Sequence, residues 1–296
     1  MKVMFSDLQC TVTENLELKR LTTLGVGGPC KYCVTPNRLA DLSEVYTRCL
    51  TEQLPVLIVG NGSNLLPDDK GYDGVVIHAG KRLKTFKIVD NIVYAEAGVP
   101  LPKLAFSMAR EGRSGFEFMA GIPGTVGGAI VMNAGCLGHD TAEVLQSVTF
   151  LDERGLIQTR SKESLGFSFR ESMLQRIPGL ILSASFYAPL AEHPEEVMAK
   201  TRRAADIRKQ KFPIQVATAG STFKSPPEGP HPGRLIEEVG LKGFQIGSAQ
   251  ISPVHANWII NLGGATSSDV KALMEVMQNT VARKLGIVME PEVLMV

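Results

Sequence analysis

Apolar residues recur with two different periods along the first eighty residues, and the change of period predicts a strand–helix–strand start. Lys31-Tyr32-Cys33-Val34-Thr35-Pro36 reads as a short strand closed by proline. Leu39, Leu42, Val45, Cys49 and Leu50 then fall on one face of a helix over 38–53. Pro55 restarts the chain, and Val56-Leu57-Ile58-Val59 is a buried-strand run ending at Gly60. Strand, helix and strand at this pitch predict a βαβ unit with parallel strands. Val75-Val76-Ile77 adds another strand.

The pattern changes near residue 81. Lys87-Ile88-Val89 and Ile92-Val93-Tyr94 flank Asp90-Asn91, which predicts a hairpin with a tight turn. Leu104, Ala105, Met108 and Ala109 mark a helix that Gly112 stops. The run Gly121-Ile122-Pro123-Gly124-Thr125-Val126-Gly127-Gly128 predicts irregular backbone. Strands return at 148–151 and 181–186. A charged helix over 194–211 ends before Phe212-Pro213 as a surface connector.

Beyond it lie a Ser/Thr/Pro-rich loop at 218–232, a short helix from Arg234 and a strand at 258–260. The last helix spans 268–285, with Asp269 in its first turn and Gly286 as its stop. Val270, Met274, Met277, Val281 and Leu285 form its apolar stripe, which reads as core rather than a cofactor box. The layout is α+β, divided at 1–80, 81–197 and 198–296.

Composition narrows the function classes. Lys+Arg 31 against Asp+Glu 30 over 296 residues leaves a net charge of +1, so no electrostatic case exists for nucleic acid or an anionic membrane. Hydrophobic residues at 44% with 21% charged give an ordinary globular balance. No apolar run approaches the roughly 18 residues of a membrane span. The start, Met1 to Asp7, lacks a secretory apolar core, and five cysteines form no disulfide pattern, so a cytoplasmic protein is expected. Cys30-Lys31-Tyr32-Cys33 has CxxC spacing, but no second pair accompanies it and no metal site is expected.

The 29 glycines cluster where chemistry is expected. Gly60-Asn61-Gly62-Ser63-Asn64-Leu65-Leu66 follows a buried strand, where exposed N–H groups make an anion-binding concavity. A plain Asn-Gly turn is the other reading. Leu65 at the third glycine position, with Pro67, Gly71 and Gly74 beyond, argues against a nicotinamide Rossmann domain. The second segment, 121–135, carries Asn133 as an amide donor and reads either as close approach to a flat cofactor or as tightly crossing backbone. Two such loops imply one large cofactor. Arg170 lies in Phe167-Ser168-Phe169-Arg170-Glu171-Ser172, suited to an anionic group or to a surface salt bridge. Ser221 follows Ala219-Gly220 without a GxSxG elbow, and Glu292 sits in Glu290-Pro291-Glu292-Val293.

Seven segments in order carry a resemblance. They are Thr22-Thr23-Leu24-Gly25-Val26-Gly27-Gly28, Val59 through Leu66, Ala120 through Gly135, and Ala219-Gly220-Ser221-Thr222-Phe223-Lys224. Gly233 through Gly243, His255-Ala256-Asn257 and Glu290-Pro291-Glu292 complete the series. The chain resembles the UDP-N-acetylenolpyruvoylglucosamine reductase family, in its shorter type without an inserted substrate-capping loop.

That resemblance implies a two-subdomain FAD-binding fold of the PCMH/vanillyl-alcohol-oxidase type with a C-terminal α+β substrate domain. It implies FAD held non-covalently by Gly60, Asn61, Gly62, Ser63, Asn64 and Leu65, and by Gly121, Ile122, Pro123, Gly124, Thr125, Gly127, Gly128 and Asn133. Arg170, Ser221 and Glu292 would be catalytic, and Lys211, Lys224, Arg234, His255 and Asn257 would meet a UDP-sugar enolpyruvyl ether. NADPH would reduce the flavin, a hydride would pass to the enolpyruvyl group, and Ser221 would protonate it. Phe169 stands where members commonly carry Tyr, and Ser225 where Asn is usual. The alternatives are an oxidase of the same fold, many of which tether flavin through a His that 60–66 lacks, and a non-catalytic nucleotide-binding module.

Overall fold

A computed structural model describes residues 3–211, 216–226 and 228–296. The chain opens with β1 (Cys10–Glu17), β2 (Pro29–Pro36), α1 (Leu39–Thr51), β3 (Val56–Val59), β4 (Leu65–Leu66) and β5 (Tyr72–His78). The middle holds β6 (Phe86–Val89), β7 (Ile92–Glu96), α2 (Leu101–Arg110), α3 (Val126–Met132), β8 (Gly135–Cys136), β9 (His139–Asp140) and α4 (Thr141–Val144). It continues through β10 (Leu145–Asp152), β11 (Ile157–Ser161), β12 (Gly179–Tyr187) and α5 (Pro194–Lys211). The last part holds β13 (Ala217–Ser221), α6 (Pro232–Glu238), β14 (Gln245–Ile246), β15 (Ala249–Ile251), β16 (Trp258–Asn261), α7 (Ser267–Leu285) and β17 (Leu294–Met295).

Two compact units result. The first joins Met1–Glu14, Lys31–Asn61 and Gly74–Ile207, and the second joins Asn15–Cys30, Gly62–Asp73 and Arg208–Val296.

In the first unit the helical stripe of α1 buries Leu42, Val45, Tyr46 and Cys49 against Phe5, Val34, Ile77 and Leu180. Leu42 and Val45 each contribute about 1.5–3 kcal/mol on leaving water. Burial also pushes the Cys49 thiol up to about 11, so it is a packing group and not a nucleophile. Strand β3 pairs in parallel with β5, Val56 opposite Val75 and Val59 opposite His78. The two strands that flank α1 are not neighbours. The sheet order is β1-β2-β5-β3, so β5 stands between the two strands that flank α1. β5 brings Val75, Val76 and Ile77, all fully buried, to that central place.

A second sheet among the described residues has the order β11-β10-β12-β7-β6. Its β6–β7 hairpin turns at Asp90-Asn91, and Asp90 takes φ +53°. Helices α2 and α3 bury Leu104, Met108 and Ile130 with Val93, Phe150 and Phe186 in one core.

The glycine run at 121–128 is not irregular throughout. Gly127 and Gly128 lie in the first turn of α3, which Thr125 caps by accepting from the Gly128 N–H at 3.5 Å. Gly127 is needed there because its backbone lies against Ala97, whose carbonyl accepts the Gly127 N–H at 2.8 Å.

In the second unit β13-β16-β15-β14 form an antiparallel sheet, covered by α6 and α7. Phe223, Ile236, Ile259, Leu273 and Met277 are buried in its core. The predicted loop at 218–232 is corrected at its start, where 217–221 is strand. Ala217 and Thr218 pair with β16, then a bulge shifts the register before Ser221 meets Trp258. The stop at Gly286 takes φ +70°, as a left-handed helix end requires. Leu273, absent from the predicted stripe of α7, is fully buried.

The expected end of the charged helix at Phe212-Pro213 lies outside the described residues. Among the described residues no helix is long and apolar enough to cross a membrane.

Candidate active site

The first unit brings the start of one glycine loop onto the other. β3 delivers Gly60 at its end, and a Cβ there would collide with the Thr125 side chain. Asn61 donates its amide to the Pro123 carbonyl at 2.6 Å. Gly121 closes a 3₁₀ turn over Glu117–Gly121, Ile122 follows it half-buried, and the Leu101 N–H donates to the Gly124 carbonyl at 3.0 Å. Gly60, Asn61, Pro123, Gly124, Thr125, Gly127 and Gly128 are therefore neighbours by direct bonding or sequence.

The donor set here fits a dinucleotide cofactor. Residues 118–138 contain no charged side chain, and Gly127 and Gly128 present partly exposed backbone beside the Thr125 hydroxyl. Small residues without charge let a flat ring and an anionic linker approach the main chain closely.

Gly62 to Leu65 belong to the second unit. Gly62 takes φ +60°, and a Cβ on it would overlap the Leu21 carbonyl. Its glycine is demanded by this close approach of protein backbone. The Thr23 N–H donates to the Gly62 carbonyl at 3.1 Å. Ser63 is half-buried, while Asn64 and Leu65 turn toward the C-terminal segment. The Asn64 amide donates to the Glu292 carbonyl at 3.0 Å, and Leu65 pairs with Leu294.

Arg170 sits at the tip of a turn in the first unit and takes φ +57°. Its guanidinium lies 4.7 Å from the Phe169 ring centroid and donates to the Gly135 carbonyl at 3.0 Å. Asn133, expected at the cofactor, is fully buried with its amide engaged on both atoms. Nδ2 donates to Asp140 at 3.0 Å and to the Ser168 carbonyl at 2.8 Å, and Oδ1 accepts from the Ala142 N–H at 3.1 Å.

In the second unit Ser221 and Glu292 are held by one hydrogen-bonded strap. The Glu292 N–H donates to the Thr222 carbonyl at 2.8 Å, and the Lys224 N–H to the Glu290 carbonyl at 2.9 Å. Lys224 also pairs with Glu290 at 2.6 Å. Gly220 at φ +83° makes the bulge that re-aims Ser221, which is half-buried at the strand end.

Asn257 is fully buried and pairs its amide with the Phe223 backbone, accepting at 3.1 Å and donating at 2.8 Å. It fixes the main chain at Phe223, just beyond β13. Glu292, Ser221, Lys224 and Asn257 thus share one small region of this unit.

His255 stands beside them, its Nδ1 accepting from the Asn257 N–H at 3.3 Å. Burial pushes its imidazole down to about 4, aided by the nearby His231, so it is neutral at pH 7 with its proton on Nε2. Arg234 lies exposed on α6, one residue after Gly233, where an added Cβ would crowd the His255 ring. Lys211 ends α5, and its side chain lies outside the described residues.

Sequence reasoning passed over His231 and Trp258. His231 caps α6, accepting from the Gly233 N–H at 3.0 Å, and its ring lies 5.5 Å from that of His255. The signal was present in His231-Pro232-Gly233, a cap followed by proline at the first helical position. Arg208 stacks over Trp258 at 4.4 Å. A cation fifty residues away in the chain left no trace in the local pattern.

Comparison with known proteins gives a consistent result. Residues 30–161 match the family "FAD binding domain", and residues 212–296 match "UDP-N-acetylenolpyruvoylglucosamine reductase, C-terminal domain". A UDP-N-acetylenolpyruvoylglucosamine reductase of Protochlamydia amoebophila is 42% identical over 94% of this chain and 92% of its own length. One from Bacillus velezensis is 39% identical over 95% of this chain and 93% of its own. The crystal structure of UDP-N-acetylenolpyruvylglucosamine reductase (MurB) from Thermus caldophilus superposes with a TM-score of 0.83 at 36% identity, covering 97% of this chain and 99% of that one. The fold is an FAD-binding domain followed by a C-terminal α+β domain.

Proposed function

Because this chain belongs to the UDP-N-acetylenolpyruvoylglucosamine reductase family, we propose that it reduces the enolpyruvyl ether of its UDP-sugar substrate to UDP-N-acetylmuramate, with NADPH as reductant. It is an FAD-dependent oxidoreductase of peptidoglycan synthesis, the wall-building process that underlies cell shape and division. The observation that carries the finer reading is the strap that ties the Glu292 backbone to Thr222, directly beside Ser221.

FAD, when bound, supplies the two-electron relay that carries a hydride from NADPH to the enolpyruvyl methylene carbon. The protein's own residues divide the rest. In the first unit Gly60, Asn61, Gly121–Thr125, Gly127 and Gly128 are proposed to line the cofactor with small residues and main chain, and Gly62, Ser63 and Leu65 are proposed as cofactor contacts by their place in the family motif. No covalent tether is proposed.

As the hydride arrives, negative charge develops on the carbon next to the substrate carboxylate. Arg170 is a permanent planar cation suited to that spread charge. Ser221 delivers its hydroxyl proton to this carbon, completing the addition of one hydride and one proton across the double bond. A hydroxyl is a weak acid in water, so the transfer relies on a strongly basic acceptor and a fixed geometry. Glu292, in the same unit as Ser221, is proposed to hold a shared proton during the step. Lys224, Arg234 and neutral His255 hold the sugar nucleotide, with Lys211 added by position in the family.

In this reading 1–80 and 81–197 are the two FAD-binding subdomains and 198–296 is the substrate domain, acting in the cytoplasm. Formation of UDP-N-acetylmuramate in step with NADPH consumption tests the proposal. NADPH consumption without that product would overturn it.

A further inference from the structure

Arg170 occupies φ +57°, a left-handed conformation that side-chain-bearing residues rarely adopt and that persists only where surrounding structure imposes it. The restraints are identifiable. Ser168 and Glu171 exchange backbone hydrogen bonds at 3.1 and 3.2 Å, which places Phe169 and Arg170 at the tip of a two-residue turn. Gln175 donates its amide to the Arg170 carbonyl at 2.9 Å and to the Val131 carbonyl at 3.0 Å. The Ser172 hydroxyl donates to the same Val131 carbonyl at 2.7 Å. Asn133 donates to the Ser168 carbonyl at 2.8 Å, and its own carbonyl accepts from the Arg170 guanidinium at 3.4 Å.

The accepting groups share one origin. Val131, Asn133 and Gly135 are at or just beyond the C-terminus of α3, where helix carbonyls lack partners and the dipole favours a cation. Asn133 ends the helix in a left-handed conformation of its own, at φ +41°. The other end of α3 is the Thr125–Gly128 segment assigned above to the cofactor.

We propose that Asn133 and Gln175 are positioning residues for Arg170, clamping the 168–172 turn onto the end of α3 so that the guanidinium is held where charge develops. The inference rests on the proposed role of Arg170. It assigns Asn133 to this clamp rather than to the cofactor, and it brings in Gln175, which no sequence motif marks.

The test uses the flavin-loaded enzyme and stopped-flow absorbance, with flavin reduction by NADPH and reoxidation by UDP-N-acetylenolpyruvoylglucosamine followed separately. Gln175 is exposed, so Gln175→Ala leaves the core intact. The expected result is full flavin content, reduction within a few-fold of wild type, and reoxidation slower by about 10- to 100-fold, as for a misplaced catalytic group. In an Arg170→Ala background the Gln175→Ala change should add no further loss, because both act through one guanidinium.

Asn133→Gly keeps the left-handed backbone and removes the amide. It should keep its flavin and show the same selective loss, whereas loss of flavin would overturn the assignment of Asn133. Wild-type reoxidation in Gln175→Ala, with Arg170→Ala slow, overturns the clamp alone. Multiplying losses in the double variant overturn it as well. Wild-type reoxidation in Arg170→Ala overturns the role of Arg170, and the clamp with it.

Discussion

The Asn64 amide donates to the main-chain carbonyl of Glu292 at 3.0 Å, and the Leu294 N–H returns a bond to the Asn64 carbonyl at 2.9 Å. Leu65 and Leu66 then pair in parallel with Leu294 and Met295. A loop that reads in sequence as an anion-binding turn therefore also lays down the C-terminal segment that carries the proposed catalytic carboxylate. On its other side that segment is bonded to Thr222 and Lys224, so Glu292 is fixed from both flanks.

Asn64→Ala removes one of these bonds and leaves the backbone pairing in place. Flavin stoichiometry should be retained, and the rate of flavin reoxidation by the enolpyruvyl sugar nucleotide should fall by about tenfold. Visible absorbance of the purified variant and stopped-flow reoxidation measure the two. Loss of the flavin would show instead that the amide serves the cofactor.

Ser221→Ala should separate the two half-reactions. Removing a positioned general acid costs about 10²–10⁴ in rate, or roughly 3–5 kcal/mol of barrier. Bleaching of the flavin by NADPH should stay within a few-fold of wild type while substrate-dependent reoxidation slows by that factor. Equal loss in both halves would assign Ser221 to the flavin site or the local fold.

Asp69 caps the start of α7 from a distant part of the chain. Its carboxylate accepts from the Ser267 N–H at 2.6 Å, the Ser268 N–H at 2.8 Å and the Ser268 hydroxyl at 2.6 Å. Thr266 takes the Asp269 N–H at 3.0 Å, so the main-chain N–H groups of Ser267, Ser268 and Asp269 are all bonded. Asp69→Ala should destabilise the protein by about 1–2 kcal/mol, the range of a lost helix cap. Urea unfolding reads the change, and an unaltered midpoint would refute the capping role.

His255 gives a pH dependence of known sign. Burial lowers its folded pKa to about 4 from an ordinary 6.5, and burial lowers His231 in the same direction. The unfolded chain therefore binds more protons between those values, so stability is full above about pH 6.5 and falls as pH drops toward 4. His255→Gln should flatten the decline in urea midpoint between pH 7 and pH 5. An unchanged slope would show that other groups govern it.

The local elements were legible because their signals are local. The run at 56–59 is strand β3 residue for residue, and the Asp90-Asn91 turn closes its hairpin. What escaped was set by partners far along the chain. β5 enters between β2 and β3 from beyond the second strand, which no periodicity reports. The strand at 217–221 is made of small residues broken by a bulge at Gly220, and its pairing with β16 is what makes it a strand.

The site shows the same division. Glycine clustering located the loops but not the reason for each glycine. Gly62 makes room for the Leu21 carbonyl, and Gly60 for Thr125. The amides of Asn133 and Asn257 are buried on Asp140 and on backbone groups, partners that a linear reading cannot supply.

The most direct measurement follows the flavin through one complete cycle without oxygen. The purified protein should carry one releasable FAD per chain, with the yellow colour passing to the supernatant on acid precipitation. NADPH should bleach the visible band, and UDP-N-acetylenolpyruvoylglucosamine should restore it with formation of one UDP-N-acetylmuramate per flavin. A colourless protein, or a bleached flavin that the enolpyruvyl sugar nucleotide leaves reduced while oxygen restores it rapidly, would contradict the account.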